Sequence, residues 1–276
     1  AALANGKADL YAQANADRLK FWEEQAGALT WQKKWETVLD WQSPFAKWFV
    51  GGKLNATVSA LDRHIADGNG ERIAFHFEGE PGDTQTITYK QLLSDVCKAT
   101  NALLELGVKQ GDRVAIYMPM IPQAAIAMLA VARLGAIHSV VFGGFSAHEL
   151  AMRIDDAKPK VVVSASCGIE ISKLIAYKPL LDDAISKAEH KPQHCVIYQR
   201  PQLLATLQSG RDLDWRQAMA AAESAPCVPV KANDPLYVLY TSGTTGKPKG
   251  VVRDNGGHAV ALNYSMQAVY NAKPGD

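Results

Sequence analysis

Apolar positions along this chain follow two spacings that alternate. Residues 88–106 place Leu92, Val96, Ala99 and Leu103 on one helical face, with Thr88 and Gln91 set as a capping box and Gly107 as the stop. Residues 113–118 then form a short apolar run that predicts a strand. Residues 122–134 predict a buried helix ended by Gly135, and 137–142 a second strand. Ser146 and Glu149 cap the helix that follows, and 160–165 read as a strand. A helix over 179–190 and a strand over 194–198 come next. The apolar run Leu236-Tyr237-Val238-Leu239-Tyr240 reads as another buried strand.

Strands alternating with amphipathic helices predict βαβ units, hence an α/β fold with a mostly parallel sheet flanked by helices. Strands this short and apolar suit a sheet covered on both faces. In such sheets ligands sit beyond the carboxyl ends of the strands. The proline-bearing polar stretches 201–214 and 225–235 are expected to be surface excursions within one domain. Upstream, residues 1–50 hold Trp22, Trp31, Trp35, Trp41 and Trp48, a pattern that suits packing anchors better than a ligand cage. The expected organisation is a Trp-rich N-terminal extension, 1–70, packed on an incomplete α/β domain, 71–276.

The predicted strand at 236–240 delivers Thr241-Ser242-Gly243-Thr244-Thr245-Gly246-Lys247-Pro248-Lys249-Gly250. Glycines let backbone N–H groups approach an anion closely, and the hydroxyls add rotatable donors. Lys247 and Lys249 add charge that a polyphosphate neutralises. A flexible Gly/Ser linker seldom carries paired lysines around a proline. A Walker-type loop needs four residues between its glycines and a hydroxyl after its lysine. Here two residues separate Gly243 from Gly246, and Pro248 follows Lys247.

The 276 residues carry a formal net charge of +1, which gives no reason to expect nucleic acid or an anionic membrane as partner. The longest apolar stretch, 124–132, is too short to span a bilayer. Cys97, Cys167, Cys195 and Cys227 fit neither a zinc site nor a CxxC redox pair. No metal ligands are assigned, and reduced, mostly buried thiols in a cytoplasmic protein are expected. His138, ahead of an apolar strand, is expected to be a satisfied core or edge histidine. The chain opens Ala1-Ala2-Leu3 with no basic-then-apolar signal segment.

The loop around Gly243 is very similar to the signature of adenylate-forming enzymes. The stretch Trp48-Phe49-Val50-Gly51-Gly52-Lys53-Leu54-Asn55, with Leu61-Asp62-Arg63-His64, resembles the N-terminal signature of their short-chain acyl-CoA synthetases. Val141-Phe142-Gly143-Gly144-Phe145-Ser146 is similar to a second signature of that group. Tyr177-Lys178-Pro179-Leu180-Leu181 and Val251-Val252-Arg253-Asp254-Asn255-Gly256-Gly257-His258 resemble its propionyl-CoA branch more than its acetyl branch.

The resemblance implies part of the large N-terminal domain of an adenylate-forming enzyme. It implies a ligase that activates propionate or acetate with ATP and magnesium, then passes the acyl group to coenzyme A. Thr241, Ser242, Gly243, Thr244, Thr245 and Gly246 would cradle the phosphates, and Lys247 or Lys249 would act on the leaving pyrophosphate. Phe142, Gly143 and Gly144 would meet coenzyme A. Glu170 and Lys173 stand where acetyl-CoA synthetases carry two arginines toward the nucleotide end of coenzyme A. Members of the group are much longer, so this chain alone is expected to be inactive. The alternative is a half-enzyme or interaction module on the same fold. A truncated fold is also expected to expose an apolar face.

Overall fold

The computed structural model describes residues 8–170, 173–221, 225, 227–241 and 248–273. The N-terminal segment opens with helices α1 (Ala8–Ala16) and α2 (Arg18–Ala26), the second capped by Asp17, whose carboxylate accepts from the Lys20 N–H at 2.9 Å. A hairpin follows, β1 (Thr37–Gln42) with β2 (Phe45–Val50), then the short β3 (Lys53–Leu54) and a π-helical turn, Val58–Asp62, leading into α3 (Arg63–Ala66). A second hairpin pairs β4 (Ile73–Glu78) with β5 (Thr84–Thr88).

Four of the five tryptophans in this region join one aromatic cluster. Trp22, Trp31, Trp35 and Trp48 gather around the buried Phe49 and Leu54. Trp41 instead lies on the hairpin surface, 58% exposed, with the Arg18 guanidinium over its ring. The cluster reaches the far end of the chain, because Tyr264 packs edge-on against Phe21 and Trp22.

Asn55 pins this segment to the core. It is fully buried, and its amide donates to the carbonyls of Ala132, Arg133 and Val228 at 2.8–3.2 Å. Its Oδ1 accepts from the Thr57 N–H and hydroxyl. Beside it, Arg133 donates through both terminal nitrogens to the Asp62 carboxylate at 2.8 and 3.0 Å.

The core follows as α4 (Tyr89–Glu105), β6 (Arg113–Tyr117), α5 (Pro122–Arg133), β7 (Ile137–Val140), α6 (Ala147–Ala157) and β8 (Val161–Ala165). A hairpin of β9 (Cys167–Glu170) and β10 (Lys173–Ala176) leads into α7 (Tyr177–Lys187) and β11 (His194–Tyr198). Next come β12 (Asp212–Asp214), α8 (Trp215–Ala221), β13 (Val230–Lys231), β14 (Pro235–Thr241), β15 (Lys249–Asp254) and α9 (Gly256–Ala268).

Seven strands form one sheet in the order β12-β11-β8-β6-β7-β14-β15, parallel throughout except for β15, which returns antiparallel beside β14. Alternate residues of β6 serve opposite layers. Val114 and Ile116 pack under α4, α5 and α8, while Ala115 and Tyr117 pack under α6 and α7. The expected two-sided α/β sheet is therefore present.

Several predicted boundaries move. The strand expected over 137–142 ends at Val140, where the chain turns so that the Phe145 N–H reaches the Phe142 carbonyl. The helix expected over 179–190 starts two residues earlier, at Tyr177. Pro179 is accommodated because first-turn N–H groups have no intrahelical acceptor. It ends at Lys187, as Ala188 turns extended. The two supposed surface excursions each contain pairing: β12 extends the main sheet beside β11, and β13 pairs with β3. Thr88 and Ser146 cap their helices as expected, accepting from Gln91 and Glu149 N–H groups.

The β15 side of the sheet is left apolar and open. Leu239, Val251 and Val252 on the last two strands, and Leu262 and Met266 on α9, are each 36–56% exposed.

Candidate functional site

Three connections leave the carboxyl edge of the sheet around β6. The helix after β6, α5, covers one face, whereas α6 and α7, which follow its neighbours β7 and the β8–β10 unit, cover the other. Neighbouring strands whose connections part to opposite faces open a crevice at their carboxyl ends. Tyr117 closes β6 there, Phe142 to Phe145 turn just beyond β7, and the β9–β10 hairpin rises from β8.

Two tyrosines fill the floor of that crevice. Tyr117 and Tyr177 stack with ring centroids 5.0 Å apart and planes 26° apart. The Tyr117 hydroxyl donates to the carbonyls of Gly143 and Phe145 at 3.3 and 3.2 Å. Burial, with Tyr177 alongside, pushes the Tyr117 phenol up to about 12, so it is a neutral donor across the physiological range. Burial likewise raises Tyr177, with Glu170 adding to the effect and Arg200 opposing it. Arg200 closes the far side, its backbone N–H on the Ser166 hydroxyl and its guanidinium donating to the Cys167 carbonyl.

The residues assigned to coenzyme A divide between the two walls. Phe142 is 69% exposed and meets Phe145 edge-on, and Gly143 and Gly144 follow it in the turn. Glu170 and Lys173 are register partners in the β9–β10 hairpin, both exposed. Tyr177 lies between these walls, and sequence reasoning did not single it out or its partner Tyr117. The signal was present in the aromatic that opens the Tyr177-Lys178-Pro179 motif and the one that ends the strand at 117.

The strand expected to lead into a phosphate loop, β14, ends at the same edge. β14 runs parallel to β7, with Tyr237 opposite His138, so Thr241 leaves the sheet on the side where Phe142 does. Ser242, Gly243, Thr244, Thr245, Gly246 and Lys247 lie outside the described residues. Thr241 and Lys249 are exposed register partners on β14 and β15, and the Thr241 hydroxyl donates to the Lys249 carbonyl.

Arg153 links this strand to the glycine turn, another residue that sequence reasoning passed over. Its guanidinium sits 4.0 Å from the Phe145 ring centroid and 5.7 Å from that of Tyr240. It pairs with Glu149 at 2.7 Å while its buried Nε–H has no partner among the described residues. The Tyr240 hydroxyl donates to Asp156 on the same helix.

His138 corrects an expectation. It lies within β7, stacked on Tyr237, and its buried Nδ1 has no hydrogen-bond partner among the described residues, so it is not the satisfied histidine expected. Burial lowers its imidazole to about 4. Tyr237 continues outward to His258 Nε2, 3.1 Å from its hydroxyl. All four cysteines are free thiols, three of them buried. Among the described residues, no three His, Cys, Asp or Glu side chains converge as metal ligands, and no helix is long and apolar enough to cross a membrane.

A mostly parallel sheet with a glycine turn and an aromatic floor at the carboxyl edge where β14 also ends defines an α/β protein with a crevice beyond its strands, the place where such sheets hold ligands. The AMP-binding enzyme family model matches residues 62–276, and the acetyl-coenzyme A synthetase N-terminus model matches residues 7–60. The chain belongs to the AMP-binding enzyme family.

Its relatives include acyl-CoA synthetase short-chain family member 3, mitochondrial, from Rattus norvegicus, 51% identical over 96% of this chain and 39% of the relative. Acetyl-coenzyme A synthetase from Streptomyces avermitilis is 51% identical over 99% of this chain and 42% of the relative. An uncharacterized protein from Pseudomonas aeruginosa is 52% identical over 96% and 43%. The chain thus spans 39–43% of the length of these relatives.

Proposed function

We propose that this chain is the N-terminal part of a ligase that activates a short-chain carboxylate with ATP and transfers it to coenzyme A. The observation that carries the reading is the shared edge: the strand entering the phosphate loop is parallel to the strand ending in the glycine turn. A phosphate cradle and a thiol path then open on one crevice. In the first step a carboxylate oxygen attacks the α-phosphorus of ATP. The bond to the bridging oxygen breaks, and pyrophosphate leaves. In the second, the sulfur of coenzyme A attacks the acyl carbon. The C–O bond to AMP breaks and the thiol proton passes to solvent.

Repulsion between a carboxylate and a polyanion makes positioning and charge neutralisation the main catalytic demands. We assign Thr241 through Gly246 to the phosphates, and Lys247 and Lys249 to the leaving pyrophosphate. Magnesium is assigned to the triphosphate oxygens, where it would supply further positive charge. Phe142, Gly143, Gly144, Glu170 and Lys173 are assigned to coenzyme A. We favour propionate over acetate, from the motifs at Tyr177 and Val251, and a cytoplasmic setting, from the four free thiols. Residues 1–70 are read as an extension on the domain formed by 71–276, and segments beyond this chain complete the enzyme.

The test is pyrophosphate release by the intact gene product with ATP, magnesium, coenzyme A and either acetate or propionate. Carboxylate-dependent pyrophosphate and AMP are expected, with the higher kcat/KM for propionate. Lys247→Ala and Lys249→Ala are each tested for a loss of pyrophosphate release. A full-length protein that releases none with either acid overturns the reading.

A further inference from the structure

The crevice floor gives Gly143 a reason to be glycine that involves no ligand. A Cβ on Gly143 would stand 1.9 Å from the Tyr177 hydroxyl oxygen and 2.7 Å from its Cζ. On the opposite edge of the same ring, a Cβ on Gly168 would stand 2.6 Å from Tyr177 Cε1. The ring is thus wedged between two glycine backbones, one in the turn after β7 and one in β9. Its face is covered by Tyr117, and its residue is only 6% exposed.

A ring held on three sides has no free rotamer to retreat into, so these contacts are not the yielding kind that a mobile side-chain tip makes. Gly144 differs. A Cβ there would meet the ring of Phe142, which is largely exposed and has room to turn aside.

We propose that Tyr177 is a positioning residue for coenzyme A. It fixes the distance between the glycine turn and the β9–β10 hairpin, and so sets the width of the path that a pantetheine arm would take. Gly143 is then required by Tyr177, and Gly144 is the glycine left free to face the ligand. The inference rests on the coenzyme A reading of this crevice and adds to it the residue that spaces its walls. Both the ring and the hydroxyl of Tyr177 bear on both glycines: added Cβ atoms on Gly143 and Gly168 would stand 2.7 and 2.9 Å from Cζ, and 3.0 and 2.6 Å from Cε2 and Cε1, besides 1.9 and 3.0 Å from the hydroxyl oxygen. Loss of the hydroxyl alone should therefore do less than loss of the ring.

The test is calorimetric titration of the intact gene product with coenzyme A and, separately, with ATP and magnesium. Tyr177→Leu is expected to weaken coenzyme A about tenfold while ATP affinity stays within about twofold, and Tyr177→Phe is expected to stay near wild type for both. Gly143→Ala alone is expected to weaken coenzyme A at least as much. Gly143→Ala combined with Tyr177→Leu should return to the level of Tyr177→Leu alone, because the added methyl then has space.

A double variant that falls by the product of the two single losses would mean that Gly143 serves the ligand directly, and overturns the inference. So does Tyr177→Leu losing both ligands equally, the signature of general destabilisation. Should Gly143→Ala fail to fold, the Tyr177→Leu and Tyr177→Phe titrations decide alone. A wild type that binds ATP but no coenzyme A overturns the coenzyme A reading together with this inference. Binding by the wild type without rescue overturns the inference only.

Discussion

Asp212 offers a severe test of the packing at the β12 edge of the sheet, because a small change to it disturbs three charges. Its side chain is fully buried at the edge of the main sheet. One oxygen accepts from Arg211 Nε at 2.7 Å. The other accepts from Lys178 Nζ at 2.9 Å and from the Gln208 N–H at 2.7 Å. Lys178 is itself 4% exposed and shares Asp182 at 2.6 Å. Asp212→Asn keeps the shape but replaces one acceptor with a donor. In one amide orientation that donor faces Lys178 and Gln208, and in the other it faces Arg211.

Removing one partner of a buried ion pair costs about 3–5 kcal/mol. At about 2–4 °C per kcal/mol for a chain near this size, the melting temperature should fall by roughly 6–20 °C. The assay is thermal melting by far-UV circular dichroism at pH 7. Lys178→Met with Asp212→Leu, which removes the pair rather than one member, should lose less than Asp212→Asn. The acid limb supplies the sign. Burial alone would raise the Asp212 carboxyl, but hydrogen bonds from Arg211, Gln208 and Lys178 outweigh it and hold it below the usual range. Its stabilisation is therefore fully present above the unfolded value of about 4 and is lost as pH falls through the lower folded value. The gap between wild type and variant should close only in that strongly acid range. A variant that melts within about 2 °C of wild type at pH 7 refutes the reasoning.

Three further outcomes are expected. Asn55→Ala should cost about 3 kcal/mol in urea unfolding, since it takes a buried donor from the carbonyls of Ala132, Arg133 and Val228 and the shared acceptor from the Thr57 N–H and hydroxyl; a loss under about 1 kcal/mol contradicts this. His138→Leu should flatten the stability profile between pH 6.5 and 4. With a folded value of about 4, the unfolded chain takes up the proton first. Stability therefore falls by about 3 kcal/mol as pH drops through that window in the wild type and much less in the variant; parallel pH profiles rule this out. Finally, Val252→Thr with Leu262→Gln and Met266→Lys should shift this 276-residue chain toward monomer in light scattering after size exclusion. A wild type that is already a stable monomer argues against an exposed joining face.

The sheet was readable from sequence because its strands are short apolar runs punctuated by glycine and caps, so period and punctuation agree. Ser146 and Thr88 were legible for that reason, and both cap as the pattern requires. The hairpins β1–β2 and β4–β5 were not. Their strands mix exposed and half-buried positions, and burial alternates with period two only over Phe75 to Glu78 of β4, too short a run to stand out. β12 was missed for a different reason. Asp212 and Asp214 look like loop residues, and the cations of Arg211 and Lys178 with the Gln208 N–H make burial of Asp212 tolerable.

The site shows the same division. A motif reports which residue types recur but not which neighbour imposes them, so Gly143 and Gly144 read as one unit. In space they answer to different partners, Gly143 to a buried ring wedged from α7 and Gly144 to an exposed ring of its own turn. Tyr177 lies 34 positions after Gly143, and nothing in the spacing joins them. What joins them is the order of the strands, since β7 and β8 flank β6 and bring their following segments over Tyr117 from either side.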